Sequence, residues 1–204
     1  VINLSKYILN SSSLNLIGLS CHIGSQIFEL NDFEESAKYI KKLAKEINKL
    51  GIELKFLDVG GGLGISYTDS SFPSPSNLIK DLENILGDRT EKIILEPGRS
   101  ISGDAGILLT SVEYVKDNYL IIDAGMNDLI RPALYDAKHQ IINVENNKVP
   151  TKEWTIVGPI CESSDVMAKN YSLGASGGSI LAIKTVGAYA VSYTHLTLPT
   201  SVIV

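Results

Sequence analysis

The stretch FLDVGGGLGISY, residues 56–67, decides how the chain is read. An apolar run that looks like a strand meets three consecutive glycines, Gly60, Gly61 and Gly62, and Gly64 follows two residues later. Glycines this dense let the backbone approach another group closely. A dinucleotide loop would need Gly-x-Gly-x-x-Gly opening a helix. Counting from Gly60, Gly62 fits, but position 65 is Ile and no helical pattern follows at once. The dinucleotide reading therefore fails in register. Two readings remain: a tight turn packed under a neighbouring loop, or a nest of bare glycine N–H groups that binds an anion.

The flanking sequence sets these glycines in a repeating frame. LNLIGLSCHIG (14–24) is apolar and ends in Gly, as a buried parallel strand does. NDFEESAKYIKKLAKEINKLG follows, with Phe33, Ala37, Ile40, Leu43, Ala44, Ile47 and Leu50 at helical spacing. Asn31 with Glu34 makes a capping-box start, and Gly51 a C-terminal stop. IELKFLDVGGG (52–62) is a second strand. A Ser/Pro-rich loop with Pro73 and Pro75 leads to a short amphipathic helix, NLIKDLENIL (77–86), and then to a third strand, KIILEPGRS (92–100). Strand-helix alternation of this kind implies parallel βαβ units with right-handed crossovers.

The polar and Gly-rich residues gather at the C-terminal strand ends: His22 to Gln26, Gly60 to Gly64, and Glu96 to Ser100. In a (β/α)8 barrel that face carries the active site, and the loops after the seventh and eighth strands form a recurrent phosphate site. After about residue 104 the character changes. GILLTSVEYVKD, NYLIIDAG, HQIINVEN, EWTIVGPI and GSILAIKTVGAYA read as strands separated by turn signals, with no long helical period. The expected organisation is the last three units of an incomplete barrel over 1–103, an incomplete all-β domain over 104–190, and an atypical, non-native tail over 191–204. The fold class is α/β plus all-β.

Composition narrows the function. The chain has 204 residues and a formal net charge of -5, from 18 Lys+Arg against 23 Asp+Glu. No basic block stands out, so nucleic acid is not expected as a partner. No apolar stretch of about 18 residues suggests a membrane span. The two cysteines, Cys21 and Cys161, lie far apart and fit free thiols in a reducing cytoplasm. With scattered histidines they make no metal-ligand pattern, so no metal is expected.

Six motifs, CHIGSQ, DVGGGLG, EPGRS, NDLIRPALY, VGPICESSD and VGAY, occur in this order. Together they resemble the fold-type III, pyridoxal-phosphate-dependent decarboxylases of basic amino acids, over roughly residues 1–190. The resemblance implies an alanine-racemase-like barrel followed by a β-sandwich or β-barrel domain, with pyridoxal 5'-phosphate as cofactor. It implies that Glu96 pairs with the pyridine nitrogen and that His22 stacks on the ring. Ser25, Gly60, Gly61, Gly62, Arg99 and Tyr189 would serve the phosphate, Tyr189 there or at the substrate end. Arg131 and Tyr135, with Arg99, would meet the substrate carboxylate. Cys161 would be the acid that protonates the carbon after CO2 leaves, and Glu162 would bind the distal ammonium. Both would cross the interface of a homodimer. Glu rather than Asp after this Cys favours meso-diaminopimelate as the small-molecule substrate, converted to L-lysine.

Each residue also has an ordinary reading. Glu96 could be a surface carboxylate, His22 a satisfied core residue, Arg131 a solvated charge and Cys161 a small hydrophobe. Cys21 is read as core. The resemblance further implies that the lysine-bearing first strand is not in this chain, so the chain alone is expected to be inactive. Alternatives are a decarboxylase of ornithine or arginine, a non-catalytic homologue that binds and regulates a decarboxylase, and a phosphate-binding barrel enzyme without pyridoxal phosphate.

Overall fold

The computed structural model describes residues 1–67, 72–145 and 149–190. Expectations for 191–204 lie outside the described residues. The chain divides into two compact units. One holds the described residues of 1–65 and 71–100, the other those of 66–70 and 101–204.

In the first unit, β1 (Gly18–Ser20), β2 (Phe56–Asp58) and β3 (Lys92–Ile94) form a parallel sheet in sequence order. Leu19 is level with Leu57, and Leu57 with Ile93. All three strands therefore end on the same side, and the residues following Ser20, Asp58 and Ile94 lie next to one another. The ladder covers only three residues of each expected strand. Helix α1 (Ile2–Leu9) precedes β1, an element that the sequence pattern did not suggest.

Helix α2 (Leu30–Asn48) connects β1 to β2 and buries Phe33, Ala37, Ile40, Ala44 and Ile47. These positions make one apolar stripe, while Leu43 and Leu50 lie at its half-buried margin. The capping box does not form: the N-cap is Glu29, with no side-chain cap bond, and Asn31 is already helical. Gly51 does adopt the left-handed backbone, φ +84°, just past the helix end. Helix α3 (Pro75–Leu86) starts earlier than the apolar spacing suggested. Pro75 takes a first-turn position, where its missing N–H costs nothing, and Ser74 Oγ accepts from Ser76 N. Leu78, Leu82 and Leu86 join the stripe of α2 and Leu57 in one core.

In the second unit, β4 (Leu108–Lys116), β5 (Tyr119–Ile122), β6 (Ile141–Asn143), β7 (Lys152–Val157), β8 (Val166–Leu173) and β9 (Ile180–Ile183) form one sheet, ordered β6-β9-β4-β5-β7-β8. All neighbours are antiparallel except β5 and β7. Five strands match the expected runs, and β8 was not anticipated. Its core contains Val112, Leu120, Ile122, Leu129, Trp154, Ile156, Leu181 and Ile183. Trp154 Nε1 donates to Leu173 O at 2.8 Å, so the buried indole leaves no orphan donor.

Candidate functional site

The three loops leaving β1, β2 and β3 are locked together by the glycines. Gly60 has φ +72° and Gly62 φ +102°, conformations that favour glycine. A Cβ on Gly61 would overlap Glu96 O and lie 2.9 Å from its carbonyl carbon. One on Gly60 would overlap Cys21 O, and one on Gly62 would overlap Gly24 O. The triplet thus meets the loop after β1 on one side and the loop after β3 on the other. Hydrogen bonds follow the same pattern: Glu96 N donates to Gly60 O at 2.8 Å, and Ile27 N donates to Gly62 O at 2.9 Å. Both readings left open by the sequence now have physical content, and close packing accounts for all three glycines.

Two of the three glycine amides already have acceptors. Gly60 N donates to Asp58 Oδ1 at 2.8 Å, and Gly61 N donates to His22 Nδ1 at 3.2 Å. Because Nδ1 accepts, the neutral ring of His22 carries its proton on Nε2. Asp58 Oδ2 accepts from Ser20 Oγ at 3.2 Å, so this carboxylate ties strand β1 to the glycine turn. Sequence reasoning gave Asp58 no role, although it stands in the quoted motif. Gln26, with φ +61°, pairs its amide with the backbone of Ile65 in both directions, at 2.7 and 3.3 Å.

At the open edge of these loops, Arg99 Nη2 donates to Ser25 Oγ at 3.1 Å. Arg99 begins the short helix α4 (Arg99–Ser102) and is half-buried. Ser25, His22 and Glu96 are exposed. The first unit therefore gathers His22, Ser25, the glycine triplet, Glu96 and Arg99 on one side of the sheet. Cys21 sits beneath, half-buried, with Sγ 3.2 Å from Ser36 Oγ.

In the second unit, Arg131 and Tyr135 bound the short helix α5 (Arg131–Tyr135), as their spacing allowed. Their environments differ: Arg131 is buried and Tyr135 is exposed. The Arg131 guanidinium lies 4.3 Å from the ring centroid of Tyr67, and its Nη1 donates to His139 Nε2 at 3.1 Å. His139 Nδ1–H donates to Lys184 O at 2.9 Å. A carbonyl can only accept and a guanidinium can only donate, so the imidazole tautomer is settled by its two partners. His139 was not singled out by the sequence.

Cys161 and Glu162 are exposed in the turn after Gly158-Pro159. That turn closes on itself: Gly158 N donates to Asp165 O, Asp165 N to Glu162 O and Glu162 N to Ile160 O, at 2.8–3.1 Å. Tyr189 has φ +59° and is 39% exposed. Two residues earlier, Gly187 N donates to Gly103 O at 2.9 Å, and a Cβ there would overlap Ser102 O. Among the described residues no group of three or more His, Cys, Asp and Glu could hold a metal ion. No described helix is long and apolar enough to cross a membrane.

Residues 3–103 match the family model of the pyridoxal-dependent decarboxylases, described as their pyridoxal binding domain, and the chain belongs to that family. Its similarity runs well beyond the matched domain. The diaminopimelate decarboxylase of Neisseria meningitidis serogroup B is 43% identical over 190 residues, which span 91% of this chain and 46% of that protein. The diaminopimelate decarboxylase of Aquifex aeolicus is 42% identical over 90% of this chain and 45% of its own length. The crystal structure of diaminopimelate decarboxylase from Helicobacter pylori complexed with L-lysine superposes with a TM-score of 0.90 at 39% identity, covering 94% of this chain and 49% of that one. The chain thus spans about half the length of the relatives it matches. The superposition bears out the fold class read from the sequence, a barrel part followed by a β domain.

Proposed function

We propose that the full-length protein uses pyridoxal 5'-phosphate to convert meso-2,6-diaminopimelate into L-lysine and CO2, acting as a cytoplasmic homodimer. The observation that carries this reading is the loop cluster of the first unit. It sets a cation and a hydroxyl, Arg99 and Ser25, 3.1 Å apart beside glycines that tolerate no Cβ. Such a cluster suits a phosphate group. Gly60 N–H and Gly61 N–H already serve Asp58 and His22. Direct contacts to phosphate therefore fall to Arg99, Ser25 and the Gly62 amide, with Gly60 and Gly61 acting through their shape. Tyr189 adds a phenolic donor there or at the substrate end.

Glu96, exposed just past the end of β3, would pair with the pyridine nitrogen, where a carboxylate favours the protonated ring. The His22 ring, oriented by Gly61 N–H, would stack on the cofactor ring. When bound, pyridoxal phosphate supplies the electron sink that lets a carboxylate leave as CO2. Arg131 and Tyr135 take the substrate carboxylate, for which a planar guanidinium is suited. Cys161 delivers a proton to the carbon that lost CO2. Glu162 takes the distal ammonium, and both reach the site of the partner subunit across the dimer interface. Glu rather than Asp after Cys161 is the feature by which the family resemblance supports diaminopimelate over ornithine.

The test is release of CO2 and L-lysine by the purified full-length protein with pyridoxal phosphate, run beside L-ornithine and L-arginine. Release from ornithine or arginine alone overturns the substrate. No release from any of the three overturns the activity.

A further inference from the structure

Asp165, the last residue of the VGPICESSD motif, has no role in the reading above, yet its side chain is the most heavily engaged in that loop. It is 2% exposed. Oδ1 accepts from Met126 N at 2.7 Å, and Oδ2 accepts from Ile160 N at 2.7 Å. These bonds have the length of charge-assisted ones. Among the described residues no cation lies within ion-pair distance of Asp165. The buried carboxylate is held by backbone donors from two separate segments. Met126 stands just before Asn127-Asp128 and the helix that opens at Arg131. Ile160 stands just before Cys161-Glu162.

The packing around the carboxylate is tight. A Cβ on Gly158 would overlap Asp165 Oδ2 and lie 2.6 Å from Gly125 Cα. A Cβ on Gly125 would lie 2.9 Å from Ile160 Cγ1. Two glycines thus allow the loops at 125 and 158 to close around one carboxylate. The loop at 125 is anchored again by Asp128 Oδ2, which accepts from Gly125 N at 2.9 Å.

We propose that Asp165 is a positioning residue that couples the Cys161-Glu162 turn to the Arg131 loop. Each carboxylate oxygen takes one backbone N–H, so a single side chain sets the spacing of the two segments. The catalytic consequence rests on the function proposed above, while the clamp itself does not. Two acceptors are required: Asn offers one oxygen and one NH2, and the NH2 would face an N–H. Glu offers two oxygens but adds a methylene where Gly158 and Gly125 already leave no space.

The test uses the full-length protein and begins with the wild type, by amide hydrogen exchange. Met126 and Ile160 should be protected at least about tenfold over unstructured rates although they sit in loops. Unprotected amides at both positions overturn the clamp, whatever any variant does. In Asp165→Asn, at least one of the two amides should lose that protection. The turnover number should fall about 10–100-fold, as a displacement of about 1 Å does. The KM for meso-diaminopimelate should rise, because Glu162 shares the turn, while the affinity for pyridoxal phosphate stays within about twofold. A general loss of structure would weaken both. Asp165→Glu should behave like Asp165→Asn, and restored activity in it would overturn the proposal, since charge alone would then suffice. Lost protection with unchanged turnover and KM would also overturn the positioning role. Protected wild-type amides in a protein that decarboxylates no basic amino acid would instead overturn the functional reading and leave the clamp standing.

Discussion

Gly61→Ala tests the interlock of the three loops most directly. The added methyl would overlap Glu96 O and lie 2.9 Å from Glu96 C. An ordinary C···O contact needs about 3.3 Å, so the Glu96 carbonyl must retreat on the order of 1 Å. Both atoms are backbone, so no side chain can swing aside. A shift of that size breaks the 2.8 Å bond from Glu96 N to Gly60 O. Overpacking costs about 1–3 kcal/mol and a lost hydrogen bond about 0.5–1.5, which together give about 1.5–4.5 kcal/mol. The control lies in the next loop: a Cβ on Gly98 would meet nothing within 4 Å, and Gly98 does not have positive φ. Gly98→Ala should leave stability within about 0.5 kcal/mol or raise it slightly. Thermal unfolding of the full-length protein reads both. Gly61→Ala should lower the midpoint by about 2–5 °C. A Gly61→Ala midpoint within about 1 °C of wild type would refute the steric argument, as would Gly98→Ala proving equally harmful.

Other consequences follow from the same structure. Arg99→Ala removes the donor to Ser25 and should weaken binding of pyridoxal phosphate about tenfold or more, measured by equilibrium titration; unchanged affinity would remove Arg99 from the phosphate site. Cys161→Ala should lower the turnover number by about 10²–10⁴, the range of a lost proton-transfer group, with little change in the melting temperature because the residue is exposed. The Asp123 carboxyl is held below its ordinary value, first by the hydrogen bond from Thr110 Oγ1 at 2.5 Å, and also by Ser111 N. A depressed folded-state pKa stabilises the protein above the ordinary carboxylate range, and the contribution disappears as pH falls through the lower folded value. Thr110→Val should therefore lower the urea midpoint at pH 7, with the gap to wild type narrowing below about pH 4. A gap independent of pH would show that Thr110 acts by packing alone.

Much of the first unit could be read from the order of residues. The stripe from Phe33 to Ile47 recurs every three or four residues, and a helix converts that spacing into one buried face. Start signals were less dependable. Asn31 and Glu34 have the spacing of a capping box, but the helix begins at Leu30. Pro75 was assigned to a loop although proline suits a first helical turn. In the second unit, β8 was missed because its alternation is broken. Its middle carries Lys169 and Asn170, with Asn170 at φ +50°, and its pairing with β7 shifts register twice. An irregular strand of this kind has no clean period of two.

The sequence by itself determined the helical stripes, the glycine triplet at a strand end, and the six motifs whose order places the chain in its family. These signals are local: each depends on residue types within a few positions of one another. Tertiary structure alone decided which groups use the glycine amides, what holds Arg131, and why the Cys161 motif ends in aspartate. Gly61 finds His22, and Met126 finds Asp165, each across 39 positions. No periodicity links residues so far apart. Such pairs exist only once the strands have brought their loops to one end, where every buried N–H must find an acceptor.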